Sequence, residues 1–140
     1  MSLYTTFTPR LVVDDAAVAT KFYRAVLGAT ERMCLRGPDG RVLHLELECA
    51  GLVFSLTEAS ADDPSPLSLG GSPVILMLMD DDPDGVFRRA EAAGARIIHP
   101  VEDRPYGMRD GRFADPAGHV WIVTRVAEHL DPAELQRRLG

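Results

Sequence analysis

Polar and apolar positions along the chain follow two periods that alternate. From Arg41 to Cys49 the residues switch at every step, with Leu43, Leu45 and Leu47 on one side and His44, Glu46 and Glu48 on the other. A period of two puts alternate side chains on opposite faces of a strand. Val18, Phe22, Tyr23, Val26 and Leu27 recur instead at helical spacing, which predicts a helix over 16–27 with one buried stripe. Asp14 and Asp15 stand where a carboxylate accepts the unsatisfied amide hydrogens of a first turn, and Gly28 where a left-handed residue ends a helix. Strands are expected on either side, over 6–13, 30–36, 41–49 and 52–57, with a turn at Gly37-Pro38-Asp39-Gly40.

From residue 58 to 72 the composition turns to Ser, Pro, Asp and Gly, which reads as a linker or mobile loop without an element of its own. The pattern then starts again. A strand over 73–79 leads to capping residues Asp80 to Asp82, with Pro83 in a first turn that welcomes it. Val86, Phe87, Ala90 and Ala93 line the helix that follows, and Gly94 ends it. Strands are expected at 96–100, 107–114 and 119–124, and Asp131-Pro132 begins a short amphipathic helix reaching Leu139.

The second pass repeats the first. Val13-Asp14-Asp15 and Gly28-Ala29 recur 66 residues later as Met79-Asp80-Asp81 and Gly94-Ala95, and Thr57 recurs 67 later as Thr124. So long a period means two copies of a βαβββ unit rather than a solenoid. The fold class is therefore α+β: one domain over 1–140, with modules at 5–57 and 73–125, the linker at 58–72 and a tail helix within 126–140. One helix per module covers one face of its strands, so the other face must meet a sheet, a subunit or a ligand. Two half-open sheets set side by side would make a cup-shaped mixed sheet, with function on the concave face.

One stretch concentrates the turn chemistry: DGRFADPAGHVW, from Asp110 to Trp121. Asp110-Gly111 suits a type I′ hairpin turn, which Arg109 and Arg112 would flank, and Asp115-Pro116-Ala117-Gly118 makes a second turn. An arginine on a cup rim can bind a carboxylate bidentately; the plainer expectation pairs both with Asp110 or Asp115. Trp121 and Val123 share a face opposite Ile122, so Trp121 is expected to pack under the helix, and His119 to be a hydrogen-bonded turn residue. The carboxylates at 80, 81, 82 and 84 sit at a helix start, where capping and the helix dipole account for them.

Composition narrows the classes of partner. A net charge of −6 argues against nucleic acid, which wants a basic face. No apolar run reaches membrane-spanning length, and Met1-Ser2-Leu3 opens nothing like a secretory signal. Cys34 and Cys49 lack metal-type spacing and read as small buried apolar groups. A reducing, cytoplasmic home with no membrane attachment follows as the expectation.

Val12-Val13-Asp14-Asp15 leading to Phe22-Tyr23 and Leu27-Gly28-Ala29, the Gly94-Ala95 helix end and the closing DPAGHVW together resemble the vicinal oxygen chelate superfamily. That group includes glyoxalase I, extradiol dioxygenases, fosfomycin-modifying enzymes and bleomycin-resistance proteins; the resemblance spans about 6–124, and DGRFADPAGHVW is similar to the bleomycin-resistance-like and glyoxalase-like members. It implies the glyoxalase/bleomycin-resistance fold and a cup often shared across a homodimer. It also implies positions for a divalent ion on the first and last strands of each unit. These fall on Thr8, Ser55, Ile75 (give or take one residue) and Ile122. Thr and Ser are poor donors and Ile is none, so no metal and no cofactor is expected.

The reading that follows is sequestration of a drug or metabolite by a metal-free homodimer. Its cup would be lined by Thr8, His44, Glu46, Ser55, Ile75, Met77 and Ile122, with Tyr106 and Arg112 at the rim. His44, Glu46 and Glu48 equally suit a solvent-facing strand, and a new metal site from His44 and Glu46 lacks a third donor. An alternative is a lyase- or isomerase-type enzyme with an atypical metal or none, using His44, Glu46 and His119 as acid–base groups. A third is an accessory protein binding a partner through its exposed sheet and the 131–139 tail.

Overall fold

A computed structural model describes residues 6–140 of the chain. The Met1-Ser2-Leu3 start and Thr5, where the first module was expected to begin, lie outside that range. The elements run β1 (Arg10–Val13), α1 (Ala16–Leu27), β2 (Thr30–Arg36), β3 (Val42–Cys49), β4 (Leu52–Glu58), α2 (Pro66–Leu69), β5 (Ile75–Met79), α3 (Pro83–Ala92), β6 (Arg96–Asp103), β7 (Met108–Ala114), β8 (Val120–Val126) and α4 (Pro132–Leu139). They build two four-stranded sheets of identical topology, β1-β4-β3-β2 and β5-β8-β7-β6. In each sheet the first strand lies parallel to the last, and the remaining pairs are antiparallel.

Asp15 caps α1 by accepting from the amides of Ala17 and Val18, and Gly28 closes the helix at φ 67°. The buried stripe is Ala16, Ala19, Phe22, Tyr23 and Val26. Val18 lies off it and is 53% exposed, because the stripe follows the 16–19–22/23–26 line rather than starting at Val18. Asp82 caps α3 by accepting from Gly85, so the two N-caps stand 67 residues apart, at 15 and 82. The offset is thus 67 through strands and N-caps, where the sequence match of Asp14-Asp15 with Asp80-Asp81 gives 66, and it is 66 at Gly28 and Gly94, since α3 is the shorter helix.

The helix-side faces of both sheets meet in one core. Phe22 packs edge-on to Phe113 at 6.0 Å, and Trp121 lies 5.8 Å from Tyr23 and 6.0 Å from Phe54 between ring centres. Trp121 thus packs under α1, as the alternation predicts. Each sheet's other face points away from that core. Among the described residues the two sheets share no strand pair: β1 and β5 each stand at a sheet edge, paired on one side only.

Four local expectations give way. Residues 6–9 are not strand, although the Ser55 amide donates to the Pro9 carbonyl. Leu43 is half out of the core and Val42 is buried in its stead, because a register shift opposite Leu35 and Arg36 breaks the alternation there. The 58–72 segment holds α2, begun by the buried Ser65, and Glu58 closes β4 while its carboxylate accepts from the amides of Ala16 and Val42. Asp110-Gly111 is not a turn but the middle of β7. A Cβ on Gly111 would come within 2.9 Å of the Phe87 ring and the His99 carbonyl, so glycine is there for close approach. The β6–β7 turn falls earlier, where the Arg104 amide donates to Met108 and Gly107 takes φ 82°.

Candidate functional site

The DPAGHVW turn is a structural clamp. Asp115, almost fully buried, accepts from the Tyr23 hydroxyl, from the Trp121 indole at 2.9 Å, and from the amides of Ala117 (2.9 Å) and His119 (3.0 Å). Burial, then the neighbouring Asp115 charge, pushes the Tyr23 phenol well above its usual range, so it stays a donor. The His119 ring reaches across to the other module, where Nε2 donates to the Val12 carbonyl at 2.8 Å. That bond assigns the proton to Nε2 and takes up that nitrogen.

Strand register defines what the open faces carry. On the first sheet Arg10, Ser55, Glu46 and Met33 stand in one row. The Arg10 guanidinium donates to His44 Nδ1 at 2.9 Å, and His44 Nε2 lies 3.0 Å from Glu46 Oε1. Arginine can only donate, so Nδ1 is the acceptor and the Nε2 proton goes to Glu46. On the second sheet one row reads Met77, Ile122, Arg112, His99, and the next reads Ile75, Val120, Ala114, Arg96. The expected lining residues therefore divide between two sheets. His44, Glu46 and Ser55 come together on the first, and Ile75, Met77, Ile122 and Arg112 on the second. Thr8 sits exposed in the 6–9 segment. Tyr106 lies in the β6–β7 turn, its hydroxyl donating to Asp110 at 2.8 Å.

The arginine pairings differ from expectation. Arg109 binds Asp84 through two bonds of 2.9 Å and also meets Asp103 at 3.1 Å; the hydrogen bonds from Arg109 hold the Asp84 carboxyl below its usual value. Asp110 is taken by Arg104 at 2.9 Å and by Tyr106, and Asp115 by the clamp. Arg112, half-buried on the open face, has no hydrogen-bond or ion-pair partner among the described residues.

A cavity of about 400 Å³ opens beside Met77, walled by Thr8, Leu27, Cys49, Leu52, Leu76 and Trp121 among others. Of the expected site residues only Thr8 and Met77 line it. Its walls come from 6–9, 49–54 and 76–78 together with Leu27 and Trp121, five separate places in the chain, so no local pattern announces it. The Cys49 thiol donates to the Leu27 carbonyl at 2.9 Å, and burial pushes its pKa up, which suits a packed wall and not a nucleophile.

The model of the glyoxalase/bleomycin resistance protein/dioxygenase superfamily matches residues 5–123. The chain belongs to that superfamily. The uncharacterized protein Mb0911c of Mycobacterium bovis is 37% identical over 138 residues, covering 95% of this chain and 91% of that protein. An Arabidopsis thaliana gene product, At5g48480, has a crystal structure 29% identical to the chain, with a TM-score of 0.67 over 90% of this chain and all of that one. FosX, a genomically encoded fosfomycin resistance protein of Listeria monocytogenes, shares the fold at 18% identity, with a TM-score of 0.70 over 96% of this chain and 99% of that one.

The positions that the resemblance assigns to a divalent ion do not fit one. Register sets Ser55 beside Arg10 and Ile122 beside Met77, and Ile75 occupies the β5 position. Two hydroxyls and two hydrocarbons are no donor set for a transition metal. Among the described residues no three His, Cys, Asp or Glu side chains are grouped as a metal would require. No described helix is long and apolar enough to cross a membrane.

Proposed function

We propose that this superfamily member binds a small, largely apolar molecule without a metal, on open sheet faces that a second copy of the chain completes. The observation that carries this is the bare apolar row of β5. Ile75, Met77 and Met79 are 42%, 67% and 58% exposed, on one face of a strand whose outer edge is unpaired among the described residues, and Met77 also borders the cavity. Free, apolar edge strands are a hazard that natural proteins cover. Methionines fit irregular ligands; the cavity of about 400 Å³ lies on the Trp121 side of β5 and shares only Met77 with this face.

In this reading Ile75, Met77 and Ile122 supply the apolar floor, with Arg112 and Tyr106 at its rim. His44, Glu46 and Ser55 supply polar contacts from the first sheet, across the homodimer, and Thr8 from the 6–9 segment beside Met77. A drug or metabolite is the ligand class; the FosX likeness, at its low identity, supports the fold alone. The two free thiols, Cys34 and Cys49, suit a reducing cytoplasm. An enzymatic reading is disfavoured by the hydrogen bonding: both nitrogens of His44 and the Nε2 of His119 are already engaged. Elemental analysis of protein purified without chelator, then offered zinc, nickel, manganese and iron, is expected to show no stoichiometric tight uptake. Tight uptake that His44→Ala abolishes would overturn the metal-free assignment.

A further inference from the structure

The charges on the open face of the second sheet do not balance locally. That face carries Arg96, Arg112, Asp110 and Glu102 on β6 and β7. Both carboxylates are already satisfied by Arg104, which binds Asp110 at 2.9 Å and Glu102 at 3.1 Å. Asp110 also accepts from Tyr106. Arg96 and Arg112 remain without a hydrogen-bonded or ion-paired carboxylate among the described residues, on a chain whose net charge is −6. Arg96 is exposed to solvent, whereas Arg112 is half-buried against the sheet. A guanidinium held against apolar surface with no partner has lost part of its hydration and gained nothing in exchange. Its fork of donors matches a carboxylate bidentately.

The row that holds Arg112 sets the size of what it would bind. Met77, Ile122 and Arg112 stand opposite one another on β5, β8 and β7. Neighbouring strands are about 4.8 Å apart, so Met77 and Arg112 are separated by roughly 10 Å with the Ile122 side chain between them. That is about the length of a flat two-ring body ending in an acid group. Resting on the binding site argued above, we propose that its ligand class is a flat aromatic carboxylate. The rings lie along Ile122 and Met77, and the carboxylate is forked by Arg112.

The test uses 2-naphthoate and its neutral isostere 2-naphthamide, titrated by calorimetry into the full-length wild-type protein and into Arg112→Gln. Arg88→Gln, the same charge change at an exposed position on α3, is the control. The expected result is that naphthoate binds at least about tenfold more tightly than naphthamide, as a charge-assisted fork requires. Arg112→Gln should remove the difference and Arg88→Gln preserve it. Added salt should weaken naphthoate alone, a readout on wild type that does not depend on the variant folding. Equal affinities for the two compounds would overturn the carboxylate class and leave the binding site standing. Binding of neither would overturn both. A normal naphthoate preference in Arg112→Gln, or an Arg112→Gln defect in self-association without one in naphthoate binding, would show that Arg112 is not the subsite.

Discussion

Asp115 shows how one residue can be read for chemistry and turn out to hold the molecule together. Its four accepted hydrogen bonds come from both modules: Tyr23 belongs to α1 of the first, and Trp121, Ala117 and His119 to the second. Removing the carboxylate leaves several buried donors unmatched, each costing about 1–3 kcal/mol. Asp115→Ala is therefore expected to lose roughly 3–5 kcal/mol in urea denaturation, a large share of a small domain's stability. An effect below about 1 kcal/mol would mean that the clamp is not the junction described. The sequence showed that this turn mattered, through Asp-Pro-x-Gly, but not what the carboxylate would hold, since Tyr23 is 92 residues distant along the chain. Arg112 is a rim candidate in the sequence only through its place beside Asp110-Gly111. Its lack of a partner is not legible there, because that depends on Arg104 reaching Asp110 around a turn the sequence placed elsewhere.

At the level of elements, the strands and helices followed from period and capping, and the failures are local. Asp-Gly has the same composition whether it makes a type I′ turn or lets a helix ring approach a strand. Only the packing of Phe87 decides, and that packing comes from α3. Gly111→Ala should therefore behave as overpacking, costing about 1–3 kcal/mol by thermal or urea unfolding. A neutral result would restore the turn reading. The Val42 and Leu43 exchange has a similar origin, since a bulge in the pairing of β2 and β3 cannot be read from alternation in β3 alone. The one-turn helix α2 escaped notice because four residues are too few to show a helical period. Across the modules, the 66- and 67-residue repeats were enough to establish the paired βαβββ plan, because caps and helix ends recur at nearly fixed offsets.

For the whole molecule, the common core of the two modules leaves their other faces bare, and among the described residues β1 and β5 each pair on one side only. The proposed second copy would cover β5, and a charge placed there should prevent it. Met77→Glu, at a position 67% exposed in the single chain, should cost the fold little. It is expected to shift sedimentation from dimer to monomer; an unchanged dimer would place the interface elsewhere. The central claim, a metal-free apolar site on the second sheet, is tested most directly by the methionine methyl groups. With ε-[¹³C]methyl methionine incorporated and a chelator present, 2-naphthoate is added while the methyl spectrum is followed. The account predicts saturable shifts at Met77 and Met79, assigned by Met→Leu substitution, with Met108 on β7 moving least. Shifts that spare Met77 and Met79, or that appear only after a divalent metal is supplied, would contradict it.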